Sequence, residues 1–135
     1  MELHHKNHHT TYVNSLNTFT AQLSELQSSS SASSPSSLAQ QLTLAPLINF
    51  HGGGHINHTL FWENLAPRGS GGGEPPKGKL AEAIESTFGG VEGLKKVMNA
   101  KLAGIQGSGW AWLVKDRETG GIGVRTYAVS SSALC

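Results

Sequence analysis

Apolar positions along the first third of the chain recur at helical spacing. Tyr12, Leu16, Phe19, Leu23 and Leu26 step by four and three, which predicts an amphipathic helix over residues 2–27. His8 continues that stripe, and His4 lies at its edge one turn earlier. Residues 28–37 are almost all serine, have nothing to bury, and read as a flexible loop. A second helical pattern covers about 38–65, with Pro46 expected to break or restart it. On that helix His51, His55, His58, Trp62 and Leu65 share one face. Proline and glycine crowd residues 66–78 and mark a boundary. Beyond it, Leu80, Ile84 and Phe88 predict a short helix, punctuated by Gly89 and Gly90. Leu94, Val97, Met98, Lys101, Leu102 and Ile105 predict another. Trp110–Val114 and Ile122–Val129 read as two strands joined by a turn over Asp116–Gly121. Ser130–Cys135 shows no pattern. The expected architecture is α+β: an antiparallel helical hairpin (1–66), a linker (67–78), and an incomplete second domain of two helices and a β-hairpin (79–135).

Composition narrows the function classes. In 135 residues, 37% are apolar and 14% charged, with 17 glycines. No apolar run reaches the roughly 18 residues a membrane span requires. A net charge of +1 with no basic stripe argues against nucleic acid. The single cysteine, Cys135, rules out an internal disulfide framework and fits a reducing compartment. No signal or transit peptide is visible in the polar, His-rich start.

The histidines change the picture. All seven fall in two windows: His4, His5, His8 and His9, then His51, His55 and His58. Neutral imidazole is the commonest biological metal ligand, so two dense windows point to a metal site. His4 and His8, or His55 and His58, could each chelate one ion. An antiparallel hairpin would bring the two windows together if the serine loop permits it. Nitrogen ligands alone suit zinc, copper or nickel; an added carboxylate suits iron or manganese. The one aspartate, Asp116, reads as a turn former. Between the windows, Gly52-Gly53-Gly54 costs a helix about 1 kcal/mol per glycine relative to alanine, so a bulky group is expected to pack there. Other chemistries find no support. There is no HExxH, and only one ExxH (Glu2 and His5) where a di-iron bundle needs two. Gln106–Trp110 is not a nucleophile elbow, and Gly71–Gly73 is not a phosphate loop. Trp62, Trp110 and Trp112 read as core residues.

Three blocks resemble the manganese and iron superoxide dismutases: Met1-Glu2-Leu3-His4-His5 with His8-His9 and Thr11-Tyr12-Val13-Asn14; Asn49 to His58 with Phe61-Trp62-Glu63-Asn64-Leu65; and Gly104 to Leu113. The resemblance implies that His4 and His58 are metal ligands, that His8 and Tyr12 form a gateway passing protons to the site, and that Trp62 and Trp110 wall the metal pocket. The glycine triplet followed by His55 favours manganese over iron. The implied reaction is disproportionation of superoxide to oxygen and hydrogen peroxide. The implied setting is a homodimer or homotetramer in the mitochondrial matrix, with cytoplasmic forms also known in the family. The family's remaining ligands stand in an Asp-x-Trp-x-His block that has no counterpart here. Val129-Ser130-Ser131 stands where its glutamine is expected, and Ala133-Leu134-Cys135 matches nothing. Family members also extend before the equivalent of Met1. The sequence therefore reads as a fragment cut at both ends, with little or no activity alone. The alternative is a non-catalytic product that binds metal weakly or associates with full-length subunits.

Overall fold

The structure is a computed structural model that describes residues 1–129; the patternless Ser130–Cys135 lies outside the described residues. It holds the expected helical hairpin followed by two helices and a two-stranded antiparallel sheet. By contacts, residues 1–62 form one compact unit and residues 63–129 belong to a second. Among the described residues, no helix is long and apolar enough to cross a membrane.

In the first unit, helix α1 (Thr10–Ser28) is preceded by a π-helical turn over His4–His9. A regular α-helix was expected throughout this segment. The Thr10 N–H reaches back to the His5 carbonyl, five residues earlier, and the Thr10 hydroxyl donates to the same oxygen at 3.2 Å. One extra residue is thereby accommodated in the turn.

Helix α2 runs unbroken over Pro35–Glu63, so the serine loop is shorter than expected, residues 29–34. Ser34 occupies the N-cap position: its hydroxyl accepts the Ser37 N–H at 3.2 Å. Pro35 follows at the first helical position, where its fixed φ and missing donor cost nothing. Gln41 ties the loop down by donating to the Ala32 carbonyl at 3.0 Å. Sequence reading overlooked this Ser-Pro start because the serine run masked it.

Pro46 does not end the helix, contrary to expectation. It leaves the Leu42 carbonyl without its usual donor, but Leu44, two residues before it, is buried and anchors the segment. Pro46 itself is exposed. Pro46→Ala is therefore expected to stabilise the hairpin by about 1–3 kcal/mol, read as a raised thermal midpoint, because an interior proline costs about 3 kcal/mol relative to alanine. A lowered midpoint would mean that a bend at Pro46 is needed for packing.

The second unit packs α3 (Gly78–Phe88) and α4 (Val91–Ala103) against each other and onto β1 (Gly109–Lys115) and β2 (Ile122–Ala128). Gly89 closes α3 in the left-handed region at φ 70°. The strands pair from Gly109↔Ala128 to Lys115↔Ile122. Asp116 shapes their turn as expected: its carboxylate accepts the N–H groups of Glu118 (2.9 Å) and Thr119 (2.8 Å). These bonds, the Thr119 N–H foremost, hold its pKa below the ordinary carboxylate value. Trp110 and Trp112, two apart on one face of β1, stack with ring centroids 5.5 Å apart. Ile84 and Val124 are the buried apolar side chains here among the described residues.

Candidate metal centre

The two histidine windows meet inside the first unit. His4 enters from the π-turn and His58 from the last third of α2, and their Nε2 atoms lie 3.0 Å apart. His58 is 4% exposed. Its Nδ1 sits 2.7 Å from the Gly54 carbonyl oxygen. A carbonyl only accepts, so Nδ1 carries the proton of the neutral ring and Nε2 presents its lone pair. That is the tautomer a metal ligand needs, and a hydrogen bond at the other ring nitrogen is what orients such ligands. Both rings could then serve as nitrogen ligands of one cation. The pair thus fits part of a metal's ligand shell. Among the described residues, no group of three or more His, Cys, Asp or Glu gathers to complete one.

Tyr12 packs beside this pair, its ring 5.1 Å from that of His58 and 5.9 Å from Phe50. The glycine triplet makes this possible, as expected: a Cβ on Gly54 would fall among the Tyr12 ring atoms. Burial raises the Tyr12 pKa, keeping the phenol protonated at neutral pH. His8 is exposed, its ring edge-on to His4 at 5.3 Å. It lies off the half-buried stripe on which the 3.6-residue period placed it.

His9 and His55 are both half-buried; sequence reading gave His9 no role and offered His55 as a chelating partner of His58, whereas its ring nitrogen faces His9. His9 Nε2 and His55 Nδ1 are 2.8 Å apart, and Trp62 Nε1 donates to His9 Nδ1 at 2.9 Å. His9 also stacks on His58, with centroids 5.4 Å apart and planes 16° from parallel. The π-turn explains the choice of His9. Bonding five residues back returns residue i+5 to the face of residue i, so His9 joins His4. The doubled His-His pairs at 4–5 and 8–9 were the available signal, but helical periodicity discards one of each. Burial foremost, then neighbouring imidazoles, holds His9 below the usual histidine value. Burial foremost also lowers His58, against the opposing effect of its bond to Gly54, with His4, His8 and His55 adding to the fall.

These shifts set a pH dependence. Unfolded histidines protonate near pH 6.5, whereas His9 and His58 in the folded chain resist protonation to lower pH. Below pH 6.5 the unfolded state therefore binds more protons, and stability falls as pH falls until the folded values are passed. The thermal midpoint is expected to be lower at pH 5.5 than at pH 7.5. An equal or higher midpoint at pH 5.5 would contradict these shifts.

The first unit is thus a helical hairpin that pairs imidazoles from its two ends, joined in sequence to an α+β unit. The α-hairpin domain of the iron/manganese superoxide dismutases matches residues 1–66, and their C-terminal domain matches residues 76–134. The chain belongs to the iron/manganese superoxide dismutase family. It is 51% identical over 121 residues to the mitochondrial manganese superoxide dismutase of Saccharomyces cerevisiae, covering 89% of this chain and 52% of that protein. It is 46% identical over 128 residues to an Arabidopsis thaliana mitochondrial manganese superoxide dismutase, covering 95% and 53%. Identity to the Petromyzon marinus mitochondrial manganese superoxide dismutase is 44% over 128 residues, covering 95% and 83%. The chain spans about half the length of the first two relatives.

Proposed function

We propose that this chain carries the first half of a manganese superoxide dismutase centre, with His4 and His58 holding the ion. The observation behind this reading is the 3.0 Å approach of two Nε2 atoms, one of them on a buried ring whose Nδ1 is already engaged. Manganese is preferred to iron because relatives in yeast, plants and lamprey are named as manganese enzymes. Their names also place them in mitochondria, which supports the mitochondrial matrix for this protein. Like subunits are the proposed partners.

Two superoxide anions and two protons give one oxygen and one hydrogen peroxide. A bound manganese supplies the one-electron exchange. The residues of this chain supply ligation and protons. His58 offers its Nε2 lone pair, His4 would offer one once the Nε2 proton it donates to His58 has left, and the buried Gly54 carbonyl keeps the His58 ring from turning. Tyr12, protonated and next to His58, is a proton donor through its phenolic O–H. His8 is exposed beside His4, where a gateway residue would stand. Neutral His9 and His58 add no charge that would repel a cation.

The test is superoxide decay in the presence of manganese. Manganese-dependent decay is expected for the chain and is expected to vanish in His58→Ala. Its rate should fall far below that of the yeast relative, because the described residues provide two imidazoles rather than a full ligand shell. Equal decay in the two proteins overturns the assignment. Manganese binding without any decay favours the second reading, a non-catalytic metal binder, which the two-ligand count also supports.

A further inference from the structure

The sheet of the second unit leaves one edge bare. Among the described residues it holds β1 and β2 alone, and two bonds fix which backbone groups point outward. The Asp116 N–H donates to the Gly121 carbonyl at 2.8 Å, and the Val129 N–H to the Ser108 carbonyl at 2.9 Å. Bonded pairs recur at every second residue of an antiparallel ladder. Trp110, Trp112 and Val114 therefore direct their N–H and C=O groups to β2, whereas Gly109, Ala111, Leu113 and Lys115 turn theirs away from it. The outer edge of β2 differs, since Val124 is buried and Ala128 has a further partner. From Gly109 to Val114, β1 carries neither charge nor proline, the devices that ordinarily guard an edge strand.

We propose that the β1 edge is a docking surface for a second copy of this chain, which pairs its own β1 antiparallel across a two-fold axis at Trp112. This rests on the like-subunit proposal above and gives that partner a surface; it needs no metal. Symmetry selects the occupant. The outward-pointing set is centred on Trp112, so Gly109 meets the partner's Lys115 and Ala111 meets the partner's Leu113. Each such pair exchanges two N–H···O bonds, about eight in all. Like charges stay apart, because the two ammonium groups lie at opposite ends of the pairing, each beside a glycine. Trp112 falls opposite the partner's Trp112 at a non-hydrogen-bonded position, where side chains come closest. The Trp110–Trp112 stack, 5.5 Å between centroids, then continues across the axis, and cross-strand aromatic pairs stabilise a sheet. The pairing is isologous and closes as a dimer with strand order β2-β1-β1-β2.

The experiment is sedimentation velocity and native mass spectrometry of the full chain, kept metal-free with a chelator, across micromolar concentrations. A dimer is expected. Ala111→Pro removes an outward donor but spares the ladder to β2, and is expected to weaken self-association at least about tenfold. Trp112→Lys and Trp112→Glu each set like charges face to face at the axis, so each alone is expected to weaken it at least about tenfold. An equimolar mixture of those two is expected to recover a dimer holding one copy of each. A monomeric unmutated chain, or a mixture that stays monomeric, overturns the proposal. A dimer insensitive to Ala111→Pro overturns the β1 edge and keeps the like-subunit reading. A variant that unfolds does not spare the proposal, because hydrogen exchange of the unmutated chain reads the edge directly. The Ala111 and Leu113 amides are expected to gain protection as concentration rises, and unchanged exchange overturns the pairing. A dimer that forms only with manganese also overturns it and leaves the metal reading standing, whereas a chain that dimerises but binds no manganese does the reverse.

Discussion

Gly54→Ala is expected to lower the thermal midpoint of the hairpin by about 5–15 °C, while Gly52→Ala, two residues away, raises it. Both substitutions replace a helical glycine by the best helix former, a gain of about 1 kcal/mol each. Packing decides the sign. At Gly52 the nearest atom to a new Cβ is Leu16 Cδ1 at 3.6 Å, an ordinary contact. At Gly54 the new carbon overlaps three atoms of the Tyr12 ring. That ring is hemmed by Phe50, His51 and His58, at 5.9, 5.8 and 5.1 Å between centroids, so it cannot swing aside. Overpacking a tight contact costs about 1–3 kcal/mol, and an overlap this deep belongs at the upper end. A net loss of about 1–2 kcal/mol corresponds to several degrees per kcal/mol in a unit of this size. Circular dichroism melts of the two variants make the comparison. A Gly54→Ala protein as stable as Gly52→Ala would show that Tyr12 does not lie over the triplet.

The second large effect concerns ion affinity. His58→Ala and His4→Ala are each expected to weaken manganese binding by at least about a hundredfold, since changes even in groups that only orient ligands cost about 10–100-fold. Each removes half of a two-nitrogen seat. His8→Ala is expected to change affinity by less than about threefold, because that ring is exposed and meets only the edge of His4. Electron paramagnetic resonance titration with manganese(II) reads all three. If His8→Ala matched His58→Ala, the ion would be seated on the outer side of the π-turn, and His8 would be its ligand.

Much of this arrangement was legible in the residues. The stripe from Tyr12 to Leu26 gave α1, and the glycine triplet announced a close neighbour, which proved to be Tyr12. The β-hairpin around Asp116 followed from turn chemistry alone, and its carboxylate bonds are as local as its sequence signal. These features depend on neighbours within a few positions, which is why a linear reading reaches them. Pro46 shows the limit: intrinsic cost argued for a break, but a helix anchored at Leu44 tolerates one missing bond.

By itself, then, the sequence determined where the helical stretches and the β-hairpin lie, that the histidines fall in two windows, and that the chain is similar to the iron/manganese superoxide dismutases. Only tertiary structure decided which histidines face one another. The π-turn shifts the register so that His9, not His8, turns inward. The proton on each ring follows from its partners: for His58, the Gly54 carbonyl four residues back and His4 54 residues away; for His9, the Trp62 indole 53 residues away. A tautomer is set by its hydrogen-bond partners, and partners brought together by folding leave no periodic trace along the chain.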